Sequence, residues 1–571
     1  MERKVYKLFG KVLETDKSKV GFNIMNARSM QQGIFIPEKL CYKWLYDLLK
    51  EQDINPNSTF YQSWIDVTSK TRWQLFLDQV KHYTSTYGTN FKGDIWTPEH
   101  GFLPEFPYTK LKVLEPMTLE ELKVEITKLA YSNVAMSTET LTYIQDIIEE
   151  LKVSLDIENI KNRELKLRMI PANYQFKDGQ ECLLWILWKW FNISMLVKNK
   201  ETFDAIEPER SMLPVLTKNK EVLATVFYRN KDVFMQFKRC KKLRHIVNVI
   251  RKLATKLHKP MEKSVWLRLE ELSDSERENL FNKTPIFKLV QMYNVLSNPT
   301  GYYVIRNGKA YYKDSIPRYT SQKLLTQLLI AIIAKVPVVD SISLPKGIEL
   351  AMPTSEKNFI GDIPLGSTIN CADKNTMVGI YWRNKWGARD LDLHCCTITG
   401  TALGWNADYH DGEEDGEEIV FSGDMTSADP EASEVMWFKN QPEDSIVSVS
   451  EYSGGDNYKY NFFIAQEDTT DFKENYMVDP RNIIYKTEMS FSNMRDVTLG
   501  YFKDGKFVFH SCNVGKGLVP TSIREKILNH LVDCNYLTVR KVIEMKGIRI
   551  SKDSEVKLTS KGDLINFFSG K

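Results

Sequence analysis

Residues 390–394 read Asp-Leu-Asp-Leu-His, a polar residue at every second position. On a β-strand, side chains two apart share a face, so Asp390, Asp392 and His394 are expected to project together while Leu391 and Leu393 enter a core. Carboxylates held side by side repel unless a cation lies between them. Asp408, Asp424, Asp429, Glu431 and Glu434 follow and offer further oxygens. A hard cation such as calcium takes about six to eight oxygens at roughly 2.3–2.6 Å, which only acids gathered from several loops supply. The alternative is a solvated acidic face, because acids in turns are common. His394-Cys395-Cys396 also suggests a soft metal. Adjacent strand residues point opposite ways, so at most one cysteine joins His394, and an outward histidine with a buried thiol is the preferred reading.

The acids are concentrated. Residues 401–480 hold 20 Asp/Glu against 3 Lys/Arg, a local charge of −17 in a chain of net charge +3. The remainder therefore carries +20. Residues 238–263 contribute ten of those basic groups, among them Lys238, Arg239, Lys241, Lys242, Arg244, Arg251 and Lys252. Ile246, Val249, Ile250, Leu253 and Leu257 recur at helical spacing, so the charges occupy the opposite face and the ends. Such a face tracks phosphates, docks on an acidic surface or is simply solvated. A second basic element is the stretch 300–313, where Asn307-Gly308 separates two aromatic runs and predicts a two-residue hairpin. Tyr303 and Tyr311 beside Arg306 are placed to stack bases, or to pack on neighbouring helices. Nucleic acid, RNA more than DNA, is thus a candidate partner alongside proteins.

The elements that must position these residues fall into blocks. Residues 1–95 mix short apolar runs with helical patterns; Leu40, Trp44, Leu45, Leu48 and Leu49 share a helical face after Pro37 as a first-turn residue. Pro98, Pro104, Pro107 and Pro116 mark a linker over 96–117. From 118 to 337 the pattern is mainly helical. Thr118-Leu119-Glu120-Glu121 forms a capping box, Ser137 starts the next helix, and further helices are expected at 180–197, 219–240, 242–258 and 324–333. Residues 338–520 turn strand-like, with a second hairpin at Asp504-Gly505. Residues 521–571 return to helix, at 522–531 and 538–545, with a strand or two and a short terminal helix. The fold class expected is a multidomain chain: a mainly α-helical N-terminal body, a β-sandwich and a small α/β tail.

The strand-rich block resembles the tellurite-resistance TerD family. The likeness begins at Ser343-Leu344-Pro345-Lys346-Gly347 and includes Gly379-Ile380-Tyr381-Trp382 and Ala388-Arg389-Asp390-Leu391-Asp392-Leu393. Asn406-Ala407-Asp408-Tyr409, Ser422-Gly423-Asp424-Met425-Thr426 and Asp429-Pro430-Glu431-Ala432-Ser433-Glu434 follow in the family's order. It closes with Leu499-Gly500-Tyr501-Phe502, Gly505-Lys506-Phe507-Val508-Phe509 and Gly515-Lys516-Gly517-Leu518. The resemblance implies a two-sheet β-sandwich that binds calcium through clustered acidic loops, with Asp390, Asp392, Asp408, Asp424 and Glu434 as ligands. It implies a role in stress responses, tellurite resistance or phage conflict, as an assembly component and not as a catalyst. His394 stands where the family usually has another Asp, and the acidic loop 411–418 is longer.

At 571 residues, 42% hydrophobic and 26% charged, the chain excludes collagen-like and wholly disordered classes. No apolar run reaches the roughly 18–20 residues that a spanning helix needs; Cys182–Val197 comes nearest and reads as a core helix before a membrane contact. No signal peptide is visible at the N-terminus, and eight cysteines without a CxxC pair suggest reduced thiols and a cytoplasmic location. No phosphate-binding loop, His-Glu-x-x-His or Gly-x-Ser-x-Gly occurs; Gly361–Ser367 has related glycines but no lysine. A calcium-binding scaffold is the first expectation, nucleic-acid binding the second and a divalent-metal hydrolase the third.

Overall fold

The computed structural model describes residues 1–15, 18–30, 34–61, 67–87, 111–171, 173–195, 200–257, 265–298, 302–306, 309–313, 320–411, 419–439, 443–454, 457–467, 482–492, 496–511, 513–515, 528 and 535–570. They form a mixed α and β chain of two compact units. One is residues 118–273 together with Met1; the other joins residues 2–117 to 274–571.

The first unit is helical. Thr118 opens the helix Leu119–Ala130 with a reciprocal cap: Glu121 N–H donates to Thr118 Oγ1 at 3.2 Å and Thr118 N–H donates to Glu121 Oε2 at 2.8 Å. Ser137 Oγ accepts from Thr140 N–H at 3.1 Å and starts Thr138–Leu151. The apolar run after Asp178 forms the core helix Gly179–Phe191, with Cys182 to Leu187 buried. It stops short of the expected residue 197 because Asn192 adopts a left-handed backbone, φ 53°, and caps it. A Cβ on Gly179 would lie 2.0 Å from Val222 O, so this helix and Lys220–Val226 touch backbone to backbone. The helix expected over 219–240 is broken, since Lys220–Val226 and Lys231–Phe237 are separated by a short tight turn. Arg244–Leu257 buries Ile246, Val247, Ile250 and Ala254. No described helix is long and apolar enough to cross a membrane.

The second unit is built on two antiparallel sheets. Eight strands matter here: β1 (Asn375–Trp382), β2 (Ala388–Thr397), β3 (Ala432–Phe438), β4 (Ser445–Gly454), β5 (Asn457–Glu467), β6 (Ile483–Ser492), β7 (Asp496–Lys503) and β8 (Lys506–Phe509). One sheet runs Ile419–Phe421, β3, β1, β5, β6; the other contains the order Ala402–Leu403, β2, β4, β7, β8. The faces interlock through aromatics: Phe438 on β3 lies 4.2 Å from Phe502 on β7, and Phe462 on β5 lies 6.3 Å from Phe507 on β8. Asp504 and Gly505, at φ 48° and 67°, turn β7 into β8, the left-handed pair that a two-residue hairpin demands. Tyr302–Arg306 pairs with Lys309–Lys313, and Lys309 sits beside Asn513 at the same sheet. Residues 307–308 lie outside the described residues.

Other segments join this unit. Val12–Leu13 pairs with Pro116–Met117, and Arg549–Ile550 pairs with Ser341–Ile342. After the helices Glu2–Phe9 and Phe22–Ser29, the helix expected beyond Pro37 is Lys43–Glu51, burying Leu45, Leu48 and Leu49. Pro37 does not enter its first turn as expected, because a separate short turn, Glu38–Leu40, intervenes. Val539–Lys546 forms as expected and packs on Gln322–Ala334. Of the helix expected at 522–531, only Leu528 is described.

Candidate metal centre

β2 carries the first carboxylates. It pairs with β4, setting Asp390 opposite Ser453, Asp392 opposite Ser450 and His394 opposite Ser448. The register shifts on both sides of Asp390, a bulge of the kind that re-aims a side chain near a site. Leu391 and Leu393 are fully buried on the other face. Asp424 arrives from the loop after Ile419–Phe421, where Gly423 turns the chain at φ 88°. Val435 N–H donates to Ser422 Oγ at 2.9 Å, and Ser422 N–H donates to Val435 O at 2.9 Å, fastening this loop to β3. The loop thereby aims Asp424 at β2. One carboxylate oxygen from each of Asp390, Asp392 and Asp424 lies within 4.8 Å of the other two. The three residues are only 3%, 2% and 2% exposed.

Glu434, on β3, is fully buried at the same place but already engaged. Its Oε2 accepts Leu393 N–H at 2.7 Å and its Oε1 accepts Met425 N–H at 3.0 Å, tying β2 to the Asp424 loop. Burial and then the charges of Asp424 and Asp392 push its carboxyl well above the usual range, against those two hydrogen bonds. Asp408 stands apart from the cluster: its side chain is 45% exposed and its Oδ1 lies 3.7 Å from the Arg72 guanidinium. Asp429 is exposed. Glu431 is an anchor, its Oε2 accepting from Tyr381 Oη at 2.6 Å and facing Arg383 at 3.3 Å.

His394 is not outward as expected. It is buried, with Nε2 2.7 Å from Ser450 Oγ, and Ser450 Oγ lies 3.5 Å from Asp392 Oδ2. The cause is the segment after Ala402–Leu403: a Cβ at Gly404 would sit 2.9 Å from His394 Nδ1, so the backbone lies directly on the imidazole. Cys395 and Cys396 are both buried. The histidine thus steadies the Asp392 side of the site through Ser450, and the converging atoms are all carboxylate oxygens.

Several participants escape sequence reasoning. Asp496 on β7 lies opposite Ser450 across the ladder and is fully buried, so its carboxylate shares a sheet face with Asp392. The available signal was an acid opening an otherwise apolar strand. The N-terminal segment forms a brace around the Asp424 loop. Tyr61 N–H donates to Ser422 O at 2.7 Å and Ser433 N–H donates to Ser58 O at 2.7 Å. His82 Nε2 lies 3.0 Å from Thr426 Oγ1, and burial lowers the pKa of its imidazole. A Cβ on Gly423 would meet Phe60 Cδ1 and Tyr61 Cδ2 at 2.8 Å. Only glycine admits those rings.

The basic candidates lie elsewhere. Arg239, Lys241, Lys242, Arg244, Arg251 and Lys252 are exposed and Lys238 is half-buried, all on or just before the helix Arg244–Leu257. Tyr303, Tyr311 and Arg306 stand on the paired strands of the hairpin, Val304 opposite Tyr311 and Arg306 opposite Lys309; their side chains lie outside the described residues. No protein-family model matches this chain, and no curated protein matches it.

Proposed function

We propose that the strand-rich part of the second unit is a TerD-like module that binds one calcium ion through Asp390, Asp392 and Asp424. The observation that carries this reading is the convergence of three buried carboxylates within 4.8 Å. Two oxygens on opposite sides of a calcium ion are roughly 4.6–5.2 Å apart, twice the usual bond length, so the spacing suits such an ion. An all-oxygen donor set favours a hard cation over zinc or copper. Burying like charges is costly, and a divalent ion offsets that cost. Glu434 and the His394–Ser450 pair would hold the ligands in place, as outer partners commonly do. On this reading the chain is a non-catalytic assembly component of the kind used in stress or phage conflict. Protein contacts are its output, and calcium sets the geometry of the loop that presents them.

Calorimetric titration of the full chain with calcium chloride tests it. The wild-type chain is expected to bind one ion, and the Asp390→Asn, Asp392→Asn double variant to lose that heat. Equal heats from both proteins would remove the proposal.

A further inference from the structure

We infer that the helical unit carries a nucleoside-phosphate site, in which tryptophans stack a base while Arg168 and Lys189 meet its phosphate. This inference does not rest on the metal reading. The site is a groove of about 600 Å³ lined by Arg168, Trp185, Trp188, Lys189, Trp190 and Phe191. That volume lies in the range of small-molecule pockets.

The cations are held on ring faces. Lys189 Nζ sits 4.8 Å from the Trp185 ring centroid and 5.4 Å from that of Trp190. Arg168 Cζ sits 4.8 Å from the Trp188 centroid, and its Nη1 donates to Thr142 Oγ1 at 3.1 Å. Trp190 is fixed in turn, its Nε1–H donating to Ser211 Oγ at 2.8 Å. Burial lowers the pKa of the Arg168 guanidinium, and the charges of Glu164 and Asp146 oppose that shift. The indoles hold the two positive charges over their ring faces. Packing accounts for Trp185, which is buried. Trp188 and Trp190 pack on the same core with one side and stay part-exposed with the other, each with a cation over its ring.

The ligand that completes such a groove joins a flat π surface to an anion. An apolar molecule leaves both charges unmet, and inorganic phosphate leaves the rings in water. A nucleotide satisfies both, its base on an indole and its phosphate on a guanidinium that binds in bidentate fashion. The groove also leads toward the basic stretch. Phe191 stacks on Phe237 with ring centroids 6.5 Å apart. Lys238 follows Phe237 directly, and its carbonyl accepts from Arg244 Nε at 3.2 Å. Phosphates leaving the groove along a single strand would next meet Arg239, Lys241 and Lys242, all exposed. A free nucleotide uses the groove alone; single-stranded nucleic acid uses the groove and the basic stretch.

The test uses the full chain with a fluorescein-labelled single-stranded oligouridylate read by anisotropy, and uridine monophosphate and adenosine diphosphate read by calorimetry. Vesicles of phosphatidylserine and phosphatidylcholine form a third arm. Stacking energies predict that Trp188→Ala weakens binding by about tenfold or more, while Trp188→Phe keeps most of it. Arg168→Gln with Lys189→Gln, both rim changes, is expected to weaken binding at least as much and to flatten the salt dependence. Unchanged circular-dichroism melting of each variant shows that the fold survives. Oligonucleotide binding without mononucleotide binding assigns a single-strand subsite; mononucleotide binding with the same sensitivities assigns a free nucleotide. Absence of both, binding indifferent to the double variant, or retention on vesicles alone would overturn the inference.

Discussion

At the residue scale, the site is a balance of like charges. Asp390, Asp392, Asp424 and Glu434 are all at most 3% exposed, and burial, then the charges of Asp424 and Asp392, raise the Glu434 carboxyl. Removing two of the charges should relieve the repulsion. In chelator, the Asp390→Asn, Asp392→Asn protein is expected to gain about 1 kcal/mol, a rise in Tm of roughly 1 °C for a unit of this size. A thermal scan reads it. With calcium added the ranking should reverse, because only the wild-type chain gains from ligand binding. A second residue-scale prediction concerns His510, buried beside Thr498 at 3.4 Å, whose imidazole burial pushes down from 6.5 to about 4. Below about pH 6.5 the unfolded chain takes up a proton that the folded chain refuses, so stability falls as pH drops toward about 4 and then levels. Denaturant titrations across that window should show a slope that flattens in His510→Gln.

At the scale of elements, strand β2 was legible and the loop that completes the site was only half so. The alternation in Asp390–His394 places both aspartates on one face because a strand has a period of two. Nothing local distinguished Asp424 from Asp408 or Asp429. What separates them is attachment: the Asp424 loop is fastened by Ser422 to β3 and braced by Tyr61 and His82, while Ser58 holds β3 at Ser433, all from far earlier in the chain. Such contacts have no sequence period. The same holds for His394, whose burial depends on the Gly404 backbone lying against its ring, and for Asp496, brought in by the β4–β7 ladder. The Asp504-Gly505 hairpin was legible because its chemistry is local. Gly423→Ala tests the loop. The left-handed backbone and the Phe60 and Tyr61 rings both oppose a Cβ, so a loss of about 1–3 kcal/mol is expected in denaturant unfolding, with weakened calcium heat. A neutral result would mean that the brace does not set the position of Asp424.

At the scale of the whole molecule, the division into two units gives each its own chemistry. The helical unit contains the basic, tryptophan-lined groove, and the other contains the acidic centre. The segregation of charge along the sequence only partly follows that division: residues 118–273 carry a net +6, and the other unit joins the −17 of residues 401–480 to segments of net +14. The proposed calcium site predicts a regional response. In hydrogen exchange, calcium should add protection to residues 388–394 and 422–434 and also to 58–61, while residues 118–257 stay unchanged. Protection spread evenly over both units would mean that the ion acts elsewhere. The most direct measurement is an anomalous difference map from a crystal grown with calcium. One peak is expected, at roughly 2.3–2.6 Å from oxygens of Asp390, Asp392 and Asp424. A map with the three aspartates ordered and no peak between them, or with the ion bound at other residues, would contradict it.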